Sequence, residues 1–195
     1  MSDARAALLA KVVAHFADHG VRDTSLRSLA AAIGTSQRML HYHFGSREDV
    51  LAAVIDAIAA AQGEQIAALF TDEPDPFTAG ARNWEATVAG ARIYGALWFE
   101  LASHAMRGEP YAAGLGEVMV QSQLRAFTEV YRGYTDLARA ERLARLTLAV
   151  GQGLIFDLLI DDDRAGADAA VDEFTRMIRR ELTPRTPRVG TPRSG

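Results

Sequence analysis

The 195 residues hold no cysteine, which excludes disulfides and thiolate metal sites and suits a reducing cytoplasm. A formal net charge of -4 excludes a chain that is basic throughout, so any contact with nucleic acid must be confined to one region. No apolar run approaches the roughly 18 residues of a membrane span, and Asp3, Arg5 and Lys11 break any signal-peptide core, so a cytoplasmic chain without membrane contact is expected.

Apolar residues recur at helical spacing almost throughout, and no alternating strand stands out. Leu8, Leu9, Val12, Val13 and Phe16 form one stripe of a first helix, which stops at Gly20. Thr24 or Ser25 can cap a short second helix carrying Leu26, Leu29, Ala30 and Ile33, with Gly34 ending it. Ser36 can cap a third after a two-residue break, and that helix runs to about Phe44. Two short helices around a tight glycine-containing turn have helix-turn-helix spacing, in which the first braces the second in the DNA major groove.

On the third helix, at 100° per residue, Leu40 and Phe44 face the core. Arg38 and Tyr42 project roughly opposite, and Gln37, Met39 and His41 lie on the flanks. Arg38 can make two hydrogen bonds to guanine and Gln37 two to adenine. Tyr42, His41 and His43 can reach phosphate oxygens. The local charge agrees: between Gly20 and Arg47, four arginines (Arg22, Arg27, Arg38, Arg47) face only Asp23.

The stretch LHYHFGSRED, 40–49, also raises a metal or catalytic reading. Histidines two apart on a helix point about 200° from each other, so His41 and His43 cannot chelate one ion. His15 and His19 are four apart and could, but no third ligand is evident, and a cation at a helix C-terminus explains His19. Ser46 and Asp49 read as an approximate capping box for a fourth helix. No nucleophile–base pair and no glycine-rich phosphate loop is present, so neither enzyme, metal nor cofactor is expected.

The fourth helix carries Val50, Leu51, Val54, Ile55 and Ile58 and runs to about Phe70. TDEPDPF, 71–77, is a loop with Asp75 as N-cap and Pro76 at the first helical position. Trp84, Val88, Ala91, Gly95, Trp98 and Leu101 define the next segment, with Gly90 a candidate break and a stop at 107–110. A helix from about 111 to 132 closes at Gly133, and Thr135 or Asp136 caps another to about Ile160. DDDRAGAD, 161–168, reads as a turn, followed by a last helix with Val171, Phe174, Ile178 and Leu182. The tail, 183–195, repeats Thr-Pro-Arg three times and reads as disordered. Its arginines, Arg185, Arg188 and Arg193, can add nonspecific DNA attraction, though an inert solvated tail is the simpler reading.

GVRDTSLRSLAAAIGTSQRMLHYHFGSREDVLAAVI, 20–55, resembles the DNA-binding domain of the TetR family of bacterial transcriptional regulators. Ser36, Leu40, His41, Tyr42, His43, Phe44, Arg47 and Val50 occupy the places of the family signature. His41 stands where the family commonly has tyrosine, so that contact is weaker, pH-dependent or passed to Tyr42. The resemblance implies that Gln37, Arg38 and Met39 read bases, with Arg27 at the groove edge. It implies that Thr24, Ser36, His41, Tyr42, His43 and Arg47 hold the DNA backbone, while Gly34 and Leu40 are structural.

It further implies an all-α chain: a three-helix DNA-binding domain at 1–46, a larger effector-binding and dimerisation bundle at 47–182, and the tail at 183–195. The helices at about 136–160 and 166–182 would pair with a second copy. Their candidate interface is Leu148, Gly151, Ile155, Leu159, Phe174 and Ile178. A ligand cavity is expected from Trp84, Tyr94, Trp98, Phe99, Phe127 and Tyr131, with Asn83, His104, Gln121 and Gln123 as polar handles. The implied function is a homodimeric repressor released from a palindromic operator by a small, mostly apolar ligand. The alternatives are a constitutive DNA-binding protein without an effector and a helical-bundle enzyme.

Overall fold

The structure is a computed structural model and describes residues 3–22, 24–72 and 75–182, with 62–72 described by backbone alone. The Thr-Pro-Arg tail lies outside the described residues. These residues form helices and turns, with no strand among them. The elements are α1 (Asp3–His19), α2 (Leu26–Ala32), α3 (Gln37–His43), α4 (Arg47–Asp72), α5 (Pro76–Met106), α6 (Ser122–Arg132), α7 (Leu137–Asp161) and α8 (Arg164–Leu182). Short 3-10 and π turns, Pro110–Ala112 and Glu117–Gln121, stand between α5 and α6, where a continuous helix from about residue 111 was expected. α5 runs unbroken through Gly90.

Side-chain caps set most of the boundaries. Ser25 and Ser28 close a reciprocal capping box at α2, and Ser36 accepts from the Met39 amide at 3.2 Å to start α3. Asp49 accepts from the Ser46 amide at 2.8 Å while Ser46 accepts from the Asp49 amide at 3.1 Å, so the acids of the 40–49 stretch begin α4. Asp75 caps α5 with Pro76 just inside it, and Asp136 caps α7 through the Arg139 amide at 2.9 Å. Gly20 and Gly34 take φ of +73° and +70°, left-handed values that let α1 and α2 end where the chain must turn.

The interior is three clusters rather than one. Leu9, Val12, Phe16, Leu29, Leu40, Val54, Leu97 and Leu101 join α1–α3 to α4 and the second half of α5. Trp84, Val88, Ile155, Leu158 and Ala167 join α5, α7 and α8. Tyr131, Ala140, Ala144 and Ile178 join α6, α7 and α8. The helix-turn-helix is therefore seated on α4 and α5, and α5 also contributes to the other two clusters.

By length and composition α7 is apolar enough to cross a membrane, contrary to the expectation from the sequence. It packs against α5, α6 and α8 and exposes much of its surface, which is a feature of its unpaired outer face.

Candidate nucleic-acid interface

α3 is built to hold one face inward and offer the other. Leu40 is fully buried and Phe44 packs on the same cluster. Gln37, Arg38, Met39, His41 and Tyr42 are exposed, and Tyr42 is 80 % exposed. A tyrosine that accessible on a seven-residue helix adds nothing to the core, so its ring is available to a partner. Arg27 is exposed on α2, while Thr24 is half-buried ahead of it. The Arg5 Nε donates to the His43 carbonyl at 3.1 Å, and its guanidinium lies 4.9 Å from the Phe44 ring centre. A cation at those last carbonyls favours the negative end of α3 and ties it to α1.

Two expected backbone contacts have intramolecular roles. The His41 Nδ1 lies 2.9 Å from the Gly45 carbonyl, which fixes the ring across the end of α3. Arg47 is committed further: Nε donates to the Thr24 carbonyl at 2.7 Å and Nη2 to the Val21 carbonyl at 2.8 Å. From the other side, the Glu100 carboxylate of α5 accepts the Val21 amide at 2.9 Å. The Val21 peptide is thus gripped on both its polar atoms, by the first residue of α4 and by α5. Glu100 was missed in the sequence, although one acid inside the apolar run LWFELA was its signal.

His15 and His19 stack with ring centres 4.5 Å apart, and the His19 Nδ1 lies 3.0 Å from the His15 carbonyl. Burial, and then the nearby His19, hold the His15 imidazole below its usual pKa. No group of three metal-ligating side chains occurs among the described residues.

A cavity of about 480 Å³ lies where the three clusters fail to meet. Small residues on the inner side of α5, among them Gly80, Ala86, Thr87, Gly90 and Ala91, leave the space. Of the expected handles, Asn83, Trp84, Tyr94, Trp98, Phe99, Gln123, Phe127 and Tyr131 all line it. His104 does not: its Nδ1 is hydrogen-bonded to the Tyr111 hydroxyl near the end of α5. Gln121 is exposed and also lies outside the lining. Lining residues the sequence reading missed include Phe77, Tyr134, Thr147, Gln152 and Thr175.

Several polar lining groups are already paired. Tyr131 and Thr147 share a 2.7 Å hydrogen bond, and Gln152 donates to the Met119 carbonyl at 3.0 Å. The Trp84 indole donates to Asp168 at 2.6 Å, and Arg164 joins Asp168 to Glu85. The Trp84 bond, and then Arg164, hold the Asp168 carboxyl below the usual carboxylate range.

The expected dimer residues face inward and need correction. Leu148, Ile155 and Ile178 are buried in their own chain. Gly151 and Phe174 line the cavity, and Leu159 packs against Gly95 of α5. The outward stripe of α7 is Leu146, Ala149, Gly153, Phe156 and Ile160, spaced three or four apart, with Ile160 74 % exposed. α7 is apolar on two sides, and the residues expected at an interface lie on the inward one.

Residues 8–54 match the family model of bacterial regulatory proteins of the tetR family. The match runs from α1 into the first turns of α4 and so covers the N-terminal domain. Solved TetR-like structures also share the fold beyond that domain. A TetR transcriptional regulator from Legionella pneumophila matches with a TM-score of 0.74 at 17% identity, over 94% of this chain and 99% of that one. A candidate transcriptional regulator from Saccharomonospora viridis, solved in complex with choline, matches with a TM-score of 0.78 at 19% identity, over 95% and 100%. Salmonella enterica GusR matches with a TM-score of 0.62 at 25% identity, over 92% and 93%. No curated protein matches the chain by sequence. Within the matched residues α2 and α3 have the helix-turn-helix arrangement.

Proposed function

We propose that the chain is a homodimeric repressor that a small, mostly apolar ligand releases from a palindromic operator. The carrying observation is that the same two helices border the cavity and hold the DNA-reading unit. Ala57, Ile58 and Ala61 of α4 line the cavity, and α4 begins at Arg47, which grips Val21 and Thr24. Trp98 and Phe99 of α5 line it too, and the next residue, Glu100, holds the Val21 amide. A ligand that moves either helix changes the seat of α2 and α3. Release requires that ligand and DNA favour different conformations.

In this reading Gln37, Arg38 and Met39 read base edges, with Arg27 at the groove edge. Ser36, His41, Tyr42 and His43 hold the DNA backbone, and Thr24 supports them from the loop before α2. Arg47 acts as a brace on that loop rather than as a phosphate contact, because two of its donors are already used. The dimer forms through the outward stripe of α7 together with Met177 of α8, which is also exposed. A two-fold pair of reading helices matches an inverted repeat.

Selection from randomised duplexes tests the reading. The wild-type chain should enrich an inverted repeat. Arg38→Ala should lose about 1–3 kcal/mol on that repeat and relax one position of it. Equal loss on cognate and random DNA would refute base reading by Arg38.

A further inference from the structure

We infer that the effector is an uncharged, flat, ring-containing molecule bearing a carbonyl or hydroxyl group, and that Asn83 and Gln123 read that group. The inference rests on the proposed ligand-binding role of the cavity and deepens it.

Three observations carry it. First, among the residues whose side chains are described, which leaves out 62–72 of α4, no Asp, Glu, Lys, Arg or His lines the cavity. A charged ligand would give up its hydration there and gain no opposite charge, which is costly in a poorly polar site. Secondly, the walls are aromatic on several helices: Phe77, Trp84 and Trp98 on α5, Phe127 and Tyr131 on α6, and Phe174 on α8. Such walls favour flat rings by stacking and edge contacts. The volume lies within the roughly 300–1,000 Å³ of drug-sized sites.

Thirdly, the polar groups of the wall divide into used and unused. Tyr131, Thr147, Gln152 and Trp84 are spent on protein partners. Asn83 and Gln123 are half-buried, line the cavity and make no hydrogen bond among the described residues; Thr87 and Thr175 are also unused, but a single hydroxyl offers less than a carboxamide. Each carboxamide offers both a donor and an acceptor. A half-buried amide without a partner favours a ligand that supplies one. A carbonyl or hydroxyl oxygen does this without bringing a charge.

Aromatic walls also attract cations, and one solved relative in fold holds choline, so the cationic case is the discriminating control. Calorimetry on the full chain at pH 7 with three naphthyl probes of similar size separates the cases: 2-acetylnaphthalene, 2-naphthoate and trimethyl(2-naphthyl)ammonium. The neutral ketone should bind at least tenfold more tightly than either charged probe. Asn83→Leu or Gln123→Leu should weaken the ketone about tenfold and leave naphthalene itself unchanged. A charged probe that binds as tightly as the ketone overturns the uncharged ligand while keeping a ligand site. Ketone affinity unchanged in both variants overturns the role of the amides. No heat and no melting shift with any of the three probes overturns the ligand-site reading itself, and this inference with it.

Discussion

Asp168 shows how one side chain ties the cavity wall to the bundle. Its carboxylate holds the Trp84 indole and Arg164 together, and both interactions favour the charged form. A carboxyl whose pKa is depressed on folding adds stability above its unfolded pKa and loses it as pH falls through the folded value. Asp168→Asn should therefore melt below wild type at neutral pH. The gap should close as pH drops below the usual carboxylate range, and a gap that stays constant down to pH 2 would contradict the assignment. Arg47→Gln tests a second single residue. It leaves the Val21 and Thr24 carbonyls without their donor, at about 1–3 kcal/mol. Operator binding should weaken with no change in its salt dependence, since no phosphate contact is lost. A salt slope lower by about one would return Arg47 to the DNA backbone.

Among the elements, α7 has the most at stake. Its inner side builds two clusters and part of the cavity, and its outer side is left apolar. Phe156→Glu with Ile160→Glu should convert a dimer into a folded monomer by sedimentation. A dimer that persists would move the interface elsewhere. Gly95 of α5 permits the close crossing with α7, because an added Cβ would lie 2.6 Å from a Leu159 methyl. Gly95→Ala should cost about 1–3 kcal/mol by overpacking, and an unchanged melting temperature would show that Leu159 moves aside.

Legibility in the sequence also divided by element. The caps at Ser36, Ser46 and Asp75 were readable because each satisfies its own neighbours' amides, while packing chose Ser25 over Thr24 and Asp136 over Thr135. The split of α3 into a buried Leu40 and an exposed Arg38 followed from helical period alone. The inward side of α7 was not readable, since both sides are apolar and only packing distinguishes them. His104 was misplaced because helical spacing does not show that Tyr111, after the turn, returns to bond it. The clamp on Val21 joins residues 26 and 79 positions apart, so no local pattern announces it.

For the whole molecule, the proposed function depends on the DNA-reading unit and the cavity sharing two helices. α3 is short and exposed, no charged side chain among those described lines the cavity, and α4 and α5 reach both. In a dimer, a small rotation of each head would change the spacing of the two α3 helices. Operators are sensitive to such spacing because half-sites lie about one helical turn, 34–36 Å, apart. A constitutive DNA-binding protein would keep that spacing whether or not the cavity is filled.

The most direct test is hydroxyl-radical footprinting on the duplex recovered by selection, with the dimeric chain. Two protected half-sites about one turn apart are expected, each lost in Arg38→Ala, and both released together when 2-acetylnaphthalene fills the cavity. A single asymmetric footprint would contradict the two-fold reading unit. A footprint unchanged while calorimetry shows the cavity occupied would contradict the coupling through α4 and α5.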